Sequence, residues 1–284
     1  MLVVSRWSLV AGRWSFVAGR WSWSVSRAAG RVAVFALGLV LVAPALLPRV
    51  SALEPAPLWD TGTFSILGYD AQTGEVGGAV QSRVFSVGNG VLWADANVGV
   101  AATQAIVDVG YGPQALELLR KGLAPAAIVK EIWEKDPDPL PDNWSKQGRQ
   151  FAVMNLKGEY AAFTGPKATE WAGHKSGKYV TAQGNILAGP AVVSNMVEAF
   201  EKTPGHLSQR LVAALEGGQA AGGDKRGQQS AALVIVKKNC GVWLHNDTIL
   251  RLQVDDNPEP IKELKRLVDL WNTRKPRSVS PECP

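Results

Sequence analysis

Thr63 and Ser65 stand two residues apart in the run Thr-Phe-Ser-Ile. On an extended strand that spacing puts both hydroxyls on one face. A strand-borne threonine becomes a nucleophile when its own α-amine is freed to act as the base, because that amine titrates near neutrality, at about 7.7–8.0. Cleavage between Gly62 and Thr63 would free it. The competing reading is an ordinary β-forming threonine. Gln81-Ser82-Arg83 follows at the end of the next strand, where the guanidinium can hold a carboxylate or an oxyanion; an exposed salt bridge is the alternative. Thr103-Gln104 is a similar polar strand end.

Three further segments carry polar groups in unusual settings. Trp171-Ala172-Gly173-His174 places a histidine in a Gly/Ser-rich loop, with no second metal ligand at suitable spacing. Residues 182–190 (AQGNILAGP) run from a strand into a helix start, where backbone N–H groups favour an anion and Asn185 can add a hydrogen bond. Residues 217–230 form a Gly-rich loop ending in Asp224, Lys225, Arg226 and Ser230. This loop matches neither a Walker A nor a dinucleotide pattern. Thr63, Arg83, Asn185 and Asp224 are the candidate catalytic residues. Ser65, Gln81, Ser82, Gln104, His174, Arg226 and Ser230 are the candidate substrate-binding residues. No metal and no cofactor is expected.

These residues need strands and helices to position them. Residues 61–70 and 75–83 read as a hairpin, and 98–105 as a third strand. Pro113 and Pro125 open two helices. Residues 150–156 and 159–164 form a second hairpin about Lys157-Gly158. A strand near 179–183 precedes two helices, one carrying Val193, Met196, Val197 and Phe200, the other Leu207, Leu211, Ala214 and Leu215. Strands at 230–237 and 249–254 and a helix over 259–271 complete the order. Hairpins imply antiparallel sheets, and paired helices imply outer layers. The expected fold is α+β, a four-layer αββα sandwich, with a two-layer α+β domain as the alternative.

Residues 1–52 are set apart from this body. They contain six arginines and no acid, so the whole-chain charge of +5 becomes −1 for the remainder, 24 basic against 25 acidic residues. The body therefore offers no electrostatic case for nucleic acid. Residues 32–48 are an uncharged apolar run followed by small residues, the pattern of a secretory signal cleaved after Ala52, or after Ala45. An uncleaved anchor is the alternative, but the run is shorter than the ~20 residues of a spanning helix and Pro44 interrupts it. Arg-Trp-Ser recurs at Arg6, Arg13 and Arg20, either a long leading region or translated sequence upstream of the true start. The expected organisation is a signal over 1–52, a linker or propeptide over 53–62, one domain over 63–271 and a polar tail over 272–284. The protein would then be periplasmic or secreted, with no stable membrane span after cleavage. In that oxidising setting Cys240 and Cys283 either pair or remain free thiols.

Taken together, Thr63-Phe64-Ser65-Ile66, Gln81-Ser82-Arg83, residues 161–165 (AAFTG), Trp171-Ala172-Gly173-His174, residues 182–189 (AQGNILAG) and 218–224 (GQAAGGD) resemble an uncharacterised bacterial and archaeal domain family with an Ntn-hydrolase-like fold. The resemblance spans about 63–270. It implies the αββα sandwich and an amide-cleaving N-terminal nucleophile at Thr63. Cytoplasmic relatives look as if they begin Met-Thr-Phe-Ser, so loss of Met would expose the matching threonine. Here the stretch Asp60-Thr61-Gly62-Thr63 resembles the Gly–Thr processing site of proteasome-type subunits. The chain departs from the family where Pro166-Lys167 replaces a frequent cysteine and Asn257 replaces the histidine of Asp-Asp-His-Pro. The expected activity is an exported amidohydrolase acting on a small amide or peptide-like substrate. A catalytically silent envelope binding module is the alternative, and a homo-oligomeric structural subunit is a third reading.

Overall fold

A computed structural model describes residues 62–243, 246–274 and 283, all within the unit Leu53–Pro284. The expectations for 1–52, for the stretch before Gly62 and for most of the tail lie outside the described residues.

Among the described residues, ten strands form two antiparallel sheets. The first sheet has six strands in the order β10 (Thr248–Val254), β9 (Ser230–Val236), β2 (Val76–Ser82), β1 (Thr63–Tyr69), β8 (Val180–Asn185) and β7 (Gly173–Gly177). The second has four, ordered β3 (Leu92–Asp95), β4 (Gly99–Ala105), β5 (Arg149–Asn155) and β6 (Tyr160–Thr164). The helices α4 (Ala191–Lys202), α5 (Leu207–Ala220) and α6 (Pro260–Arg274) pack on the first sheet, and α2 (Tyr111–Arg120) and α3 (Pro125–Lys135) on the second. The two-layer α+β alternative is therefore excluded: the architecture is an αββα sandwich.

Period-two alternation assigns the cores. Phe64 and Ile66 point from β1 into the helix layer with Met196, Phe200, Leu211 and Leu215. Leu67 points the other way, joining Val80, Val100, Met154 and Val234 between the sheets. Phe151 and Val153 of β5 pack with Tyr111, Ile128 and Ile132 under the outer helices. Hydrophobic burial in three contiguous clusters thus fixes the order of the layers.

Three elements differ from the sequence reading. His174 lies in a strand, not a loop: β7 pairs with β8 at the sheet's edge. Its sequence, Gly-His-Lys-Ser-Gly, lacks apolar alternation because an edge strand tolerates polar side chains. The Gly-rich stretch begins inside α5. A Cβ on Gly218 would lie 2.7 Å from Met196 Cγ, and one on Gly217 2.9 Å from the Asn195 carbonyl, so these glycines let α5 approach α4. The chain takes left-handed backbone beyond the helix, at Gly222, Gly223 and Gly227, with φ of 106°, 52° and 106°. The strand β3 and the four-residue helix α1 (Gly88–Val91) are too short to carry a periodic signal. Cys240 and Cys283 form a disulfide with Cα atoms 5.5 Å apart, which resolves the two alternatives left by the sequence.

A buried polar knot anchors the second sheet to its helices. Arg149 Nε lies 3.2 Å from Asp136, and both side chains are almost fully buried. The Tyr111 hydroxyl donates to the same carboxylate, and Arg149 also donates to the carbonyls of Ile106 and Trp144. Burial alone would raise the Asp136 carboxyl; the Tyr111 hydroxyl, the Asp138 N–H and Arg149 outweigh it and hold the group below the ordinary carboxylate value. A depressed carboxyl contributes stability that is present above its unfolded-state value and lost as pH falls through the folded-state value. Asp136→Asn leaves Arg149 buried without its counter-charge, and we expect it to cost about 3–5 kcal/mol. Urea unfolding between neutral and acid pH checks this: the variant should also lose stability less steeply on acidification than the parent.

Candidate functional site

The two sheets bring polar side chains to one end of their interface. In the first sheet, Ser230, Ser82, Thr63 and Asn185 occupy one level across four adjacent strands, paired in register. Ser65 and Gln183 form the next level. From the facing sheet come Gln104, Gln150 and Thr164, again at one level across β4, β5 and β6.

Hydrogen bonds join the sheets. Ser65 Oγ donates to Gln104 Oε1 at 2.6 Å and accepts from Gln183 Nε2 at 2.6 Å. Gln104 Nε2 donates to Gln150 Oε1 at 2.8 Å, and toward the Thr63 carbonyl at 3.3 Å. Gln150 Nε2 in turn reaches Thr164 Oγ1 and the carbonyls of Gly173 and Gly184. Asn185 Nδ2 donates to Gln150 Oε1 at 3.1 Å and lies 3.5 Å from the Thr63 carbonyl. All of these amides are buried, so the bonds offset a desolvation cost of about 1–3 kcal/mol per polar group. Asn185 Oδ1 and Gln183 Oε1 are buried with no hydrogen-bond partner among the described residues. Such orphaned acceptors mark places where a further donor fits.

Thr63 is at the wall of a pocket of about 190 Å³. Its hydroxyl donates to Ser82 Oγ at 3.1 Å, and Ser82 Oγ donates to the Gly62 carbonyl. Arg226 Nη2 donates to the same carbonyl at 2.6 Å. The Arg226 guanidinium is held by Asp224, with Nη2 2.7 Å from Oδ2 and Nε 3.0 Å from Oδ1. The peptide carbonyl immediately before Thr63 therefore faces a cation and a hydroxyl donor.

The remaining candidates take other positions. Gln81 lies on the opposite face of its strand, with its Nε2 3.4 Å from the Gly227 carbonyl. Arg83 is exposed, bonds Gln229 at 3.1 Å, and is not among the pocket-lining residues. His174 sits two strands from β1, about 10 Å away by strand spacing. Its Nδ1 is 3.0 Å from Thr164 Oγ1, and burial lowers its pKa from the ordinary imidazole value. Ser230 Oγ accepts from the Val87 N–H at 3.0 Å and donates to the Val84 carbonyl at 2.6 Å, so it braces the segment that lines the pocket.

Strain collects around this end. Ser86 and Ala105, both pocket-lining, have φ of 55° and 65°, and Ile186, next to Asn185, has φ of 54°. Left-handed backbone is costly for a β-branched residue and persists only where the surroundings impose it. At Ile186 they do: its N–H donates to Thr169 and its carbonyl accepts from Lys225, next to Asp224. Gln150, Thr164 and Phe85 were missed from sequence. Gln150 had a signal, since it continues the inward alternation of Ala152 and Met154 as an amide at a strand start. Exposed Phe85 had none.

Residues 63–264 match a family described as a family of unknown function, DUF1028, beginning at Thr63 itself. No curated protein matches. Among solved structures, the chain is similar to protein SPO2555 from Silicibacter pomeroyi, assigned to the same family, with 31% identity, a TM-score of 0.66, and coverage of 74% of this chain and 86% of that one. By the extent of both matches, this chain belongs to the DUF1028 family.

Proposed function

We propose that the protein is an exported Ntn-type amidohydrolase whose nucleophile, Thr63, is unmasked by cleavage of the Gly62–Thr63 bond. One observation carries the reading: the Gly62 carbonyl accepts from both Arg226 and Ser82, while the Thr63 hydroxyl donates to that same Ser82. Negative charge developing on that carbonyl oxygen in an acyl shift would meet both donors. Thr63 Oγ attacks the Gly62 carbonyl carbon as its proton passes to Ser82 Oγ and the Ser82 proton passes to the carbonyl oxygen, on which Arg226 also donates. Collapse of the tetrahedral centre breaks the C–N bond, and the proton on the former carbonyl oxygen is given up to the departing Thr63 nitrogen. Water then hydrolyses the resulting ester, leaving a Gly62 carboxylate and a free Thr63 amine. That amine serves as the base when Thr63 Oγ attacks a substrate amide. Asp224 acts as a positioning residue for Arg226, and Asn185 and Gln104 hold the Thr63 main chain.

Export is part of the proposal. The charge-free run at 32–48 and the Cys240–Cys283 disulfide support it, because disulfides persist in oxidising compartments. No helix among the described residues is long and apolar enough to cross a membrane. A second reading, a silent binding module using the same pocket, is favoured by the burial of Thr63, whose hydroxyl is engaged by Ser82 and which is only 3% exposed.

N-terminal sequencing and intact mass of the exported protein separate the two. The hydrolase reading expects a chain starting at Thr63; a start near Leu53 favours the binding module. Thr63→Ala should leave the Gly62 junction intact and abolish turnover, whereas Thr63→Ser should retain both activities. Arg226→Gln should slow appearance of the Thr63 terminus by about 100–1,000-fold, the usual cost of one oxyanion donor, as followed by mass spectrometry on purified precursor. Unchanged turnover in Thr63→Ala sinks the nucleophile assignment.

A further inference from the structure

Resting on the amidohydrolase reading, we propose that the pocket beside Thr63 is the subsite that selects the substrate, and that it takes a neutral apolar side chain next to the scissile carbonyl, about the size of leucine or phenylalanine. The chemistry of the lining supports this. Val84, Phe85, Val87, Val91, Ala105 and Val107 supply apolar walls, and none of the described lining residues is charged. The polar groups present are already engaged. Thr103 Oγ1 donates to the Gly90 carbonyl at 2.8 Å, and Ser86 Oγ donates to Asp255 at 2.6 Å while accepting from Asn89. The Gln104 amide is bonded to Ser65 and Gln150. A charged side chain entering here would lose its water and meet no counter-charge among the lining residues.

Size follows from volume. A cavity of about 150 Å³ lined by aliphatic and aromatic side chains admits benzene, so about 190 Å³ accommodates a branched aliphatic or phenyl group. The walls are held rather than loose. Ser230 pins the 84–87 segment through both of its bonds, and the left-handed backbone at Ser86 and Ala105 sets the turn of the two lining segments. Phe85 is the adjustable part: it lines the pocket yet is 67% exposed, so it forms one lip and can be removed without opening the core. Arg226, the cation on the carbonyl that precedes Thr63, is committed to the Gly62 carbonyl and Asp224 and does not line the pocket. The nucleophile is thus polar on its Ser82 side and apolar on the pocket side.

The experiment uses the mature protein beginning at Thr63 and N-acetyl-aminoacyl methylcoumarin amides that differ only in side chain: alanine, leucine, phenylalanine, glutamate and lysine. The expected result is kcat/KM at least 10-fold higher for leucine or phenylalanine than for alanine, in line with discrimination of about 10–200-fold per methylene in an apolar pocket, and glutamate and lysine near background. Phe85→Ala should lower the leucine rate about 10-fold and the alanine rate much less. Equal rates for glutamate or lysine, or a Phe85→Ala protein with unaltered selectivity, would overturn the subsite while leaving the hydrolase reading intact. If no amide is turned over, the hydrolase reading fails separately, and binding of N-acetyl-leucinamide against N-acetyl-glutamate amide to the same protein, followed by calorimetry, decides the pocket. Leucinamide binding that Phe85→Ala weakens keeps the apolar subsite; no preference for leucinamide overturns it.

Discussion

Two sheets can be stacked only if whatever lies between them is apolar or fully hydrogen-bonded, because a buried polar group left alone costs more than a bond returns. This chain uses both solutions at different ends of one interface. Leu67, Val80, Val100 and Met154 fill one part with hydrocarbon. The other part is a lattice of neutral amides and hydroxyls in which Ser65, Gln104 and Gln150 cross from sheet to sheet. The amide lattice fixes the relative position of β1, β4, β5 and β8 more tightly than packing alone, since each bond has a direction. Thr63 inherits that precision because its carbonyl is approached by both Gln104 and Asn185. The site is therefore a consequence of how the sheets are joined.

The outer parts of the molecule serve this interface at one remove. The Asp136–Arg149 pair ends on β5, one residue from Gln150, so the buried charge also sets where the amide lattice begins. On the first sheet the isolated bridge between Leu187 and Asp224 ties the end of β8 to the loop carrying Arg226. The strained Ile186 stands between these contacts, and its cost is repaid only by the fit of both loops. Close approach of α5 to α4 at Gly217 and Gly218 delivers that loop to the edge of β1.

Much of the framework was legible because burial writes itself as periodicity. Phe64 and Ile66 against Ser65 and Leu67, or Met196, Val197 and Phe200 on α4, announce which face meets which layer. The αββα order followed from hairpins alternating with helix pairs. The edge strands β3 and β7 were not legible, since an edge has no partner on one side and tolerates Lys175 or His174 where a central strand would demand an apolar residue. The glycines of α5 misled for a related reason: a residue that permits turns also permits contact between helices, and sequence alone does not say which. In the site, Thr63 and Ser65 were legible as hydroxyls on one strand face and Ser82 and Gln104 as polar strand ends, whereas Asn185, expected where a strand runs into a helix start, is the last residue of β8. The relation of Arg226 to Gly62 was not legible, because it spans 164 residues and depends on a loop whose course is set by tertiary contacts.

The chemistry of the site is constrained by what its charges are already doing. A hydroxyl attack on an amide needs a base, and the neighbourhood of Thr63 is built from neutral groups. The carboxylate of Asp224 is bound to Arg226 by two bonds and faces that cation rather than the pocket. The imidazole of His174 lies two strands away, bonded to Thr164. The side chains of Ser82, Gln104 and Asn185 donate and accept without titrating near neutrality. On the proposed reading the base must therefore come from the main chain, and the α-amine released at Thr63 is the group within reach of its own hydroxyl. Before that release the same neutral surroundings do the opposite: they engage the Thr63 hydroxyl and keep it from acting on anything but the carbonyl beside it. On the proposed reading, one set of hydrogen bonds would account for both a latent precursor and the direction of its first reaction.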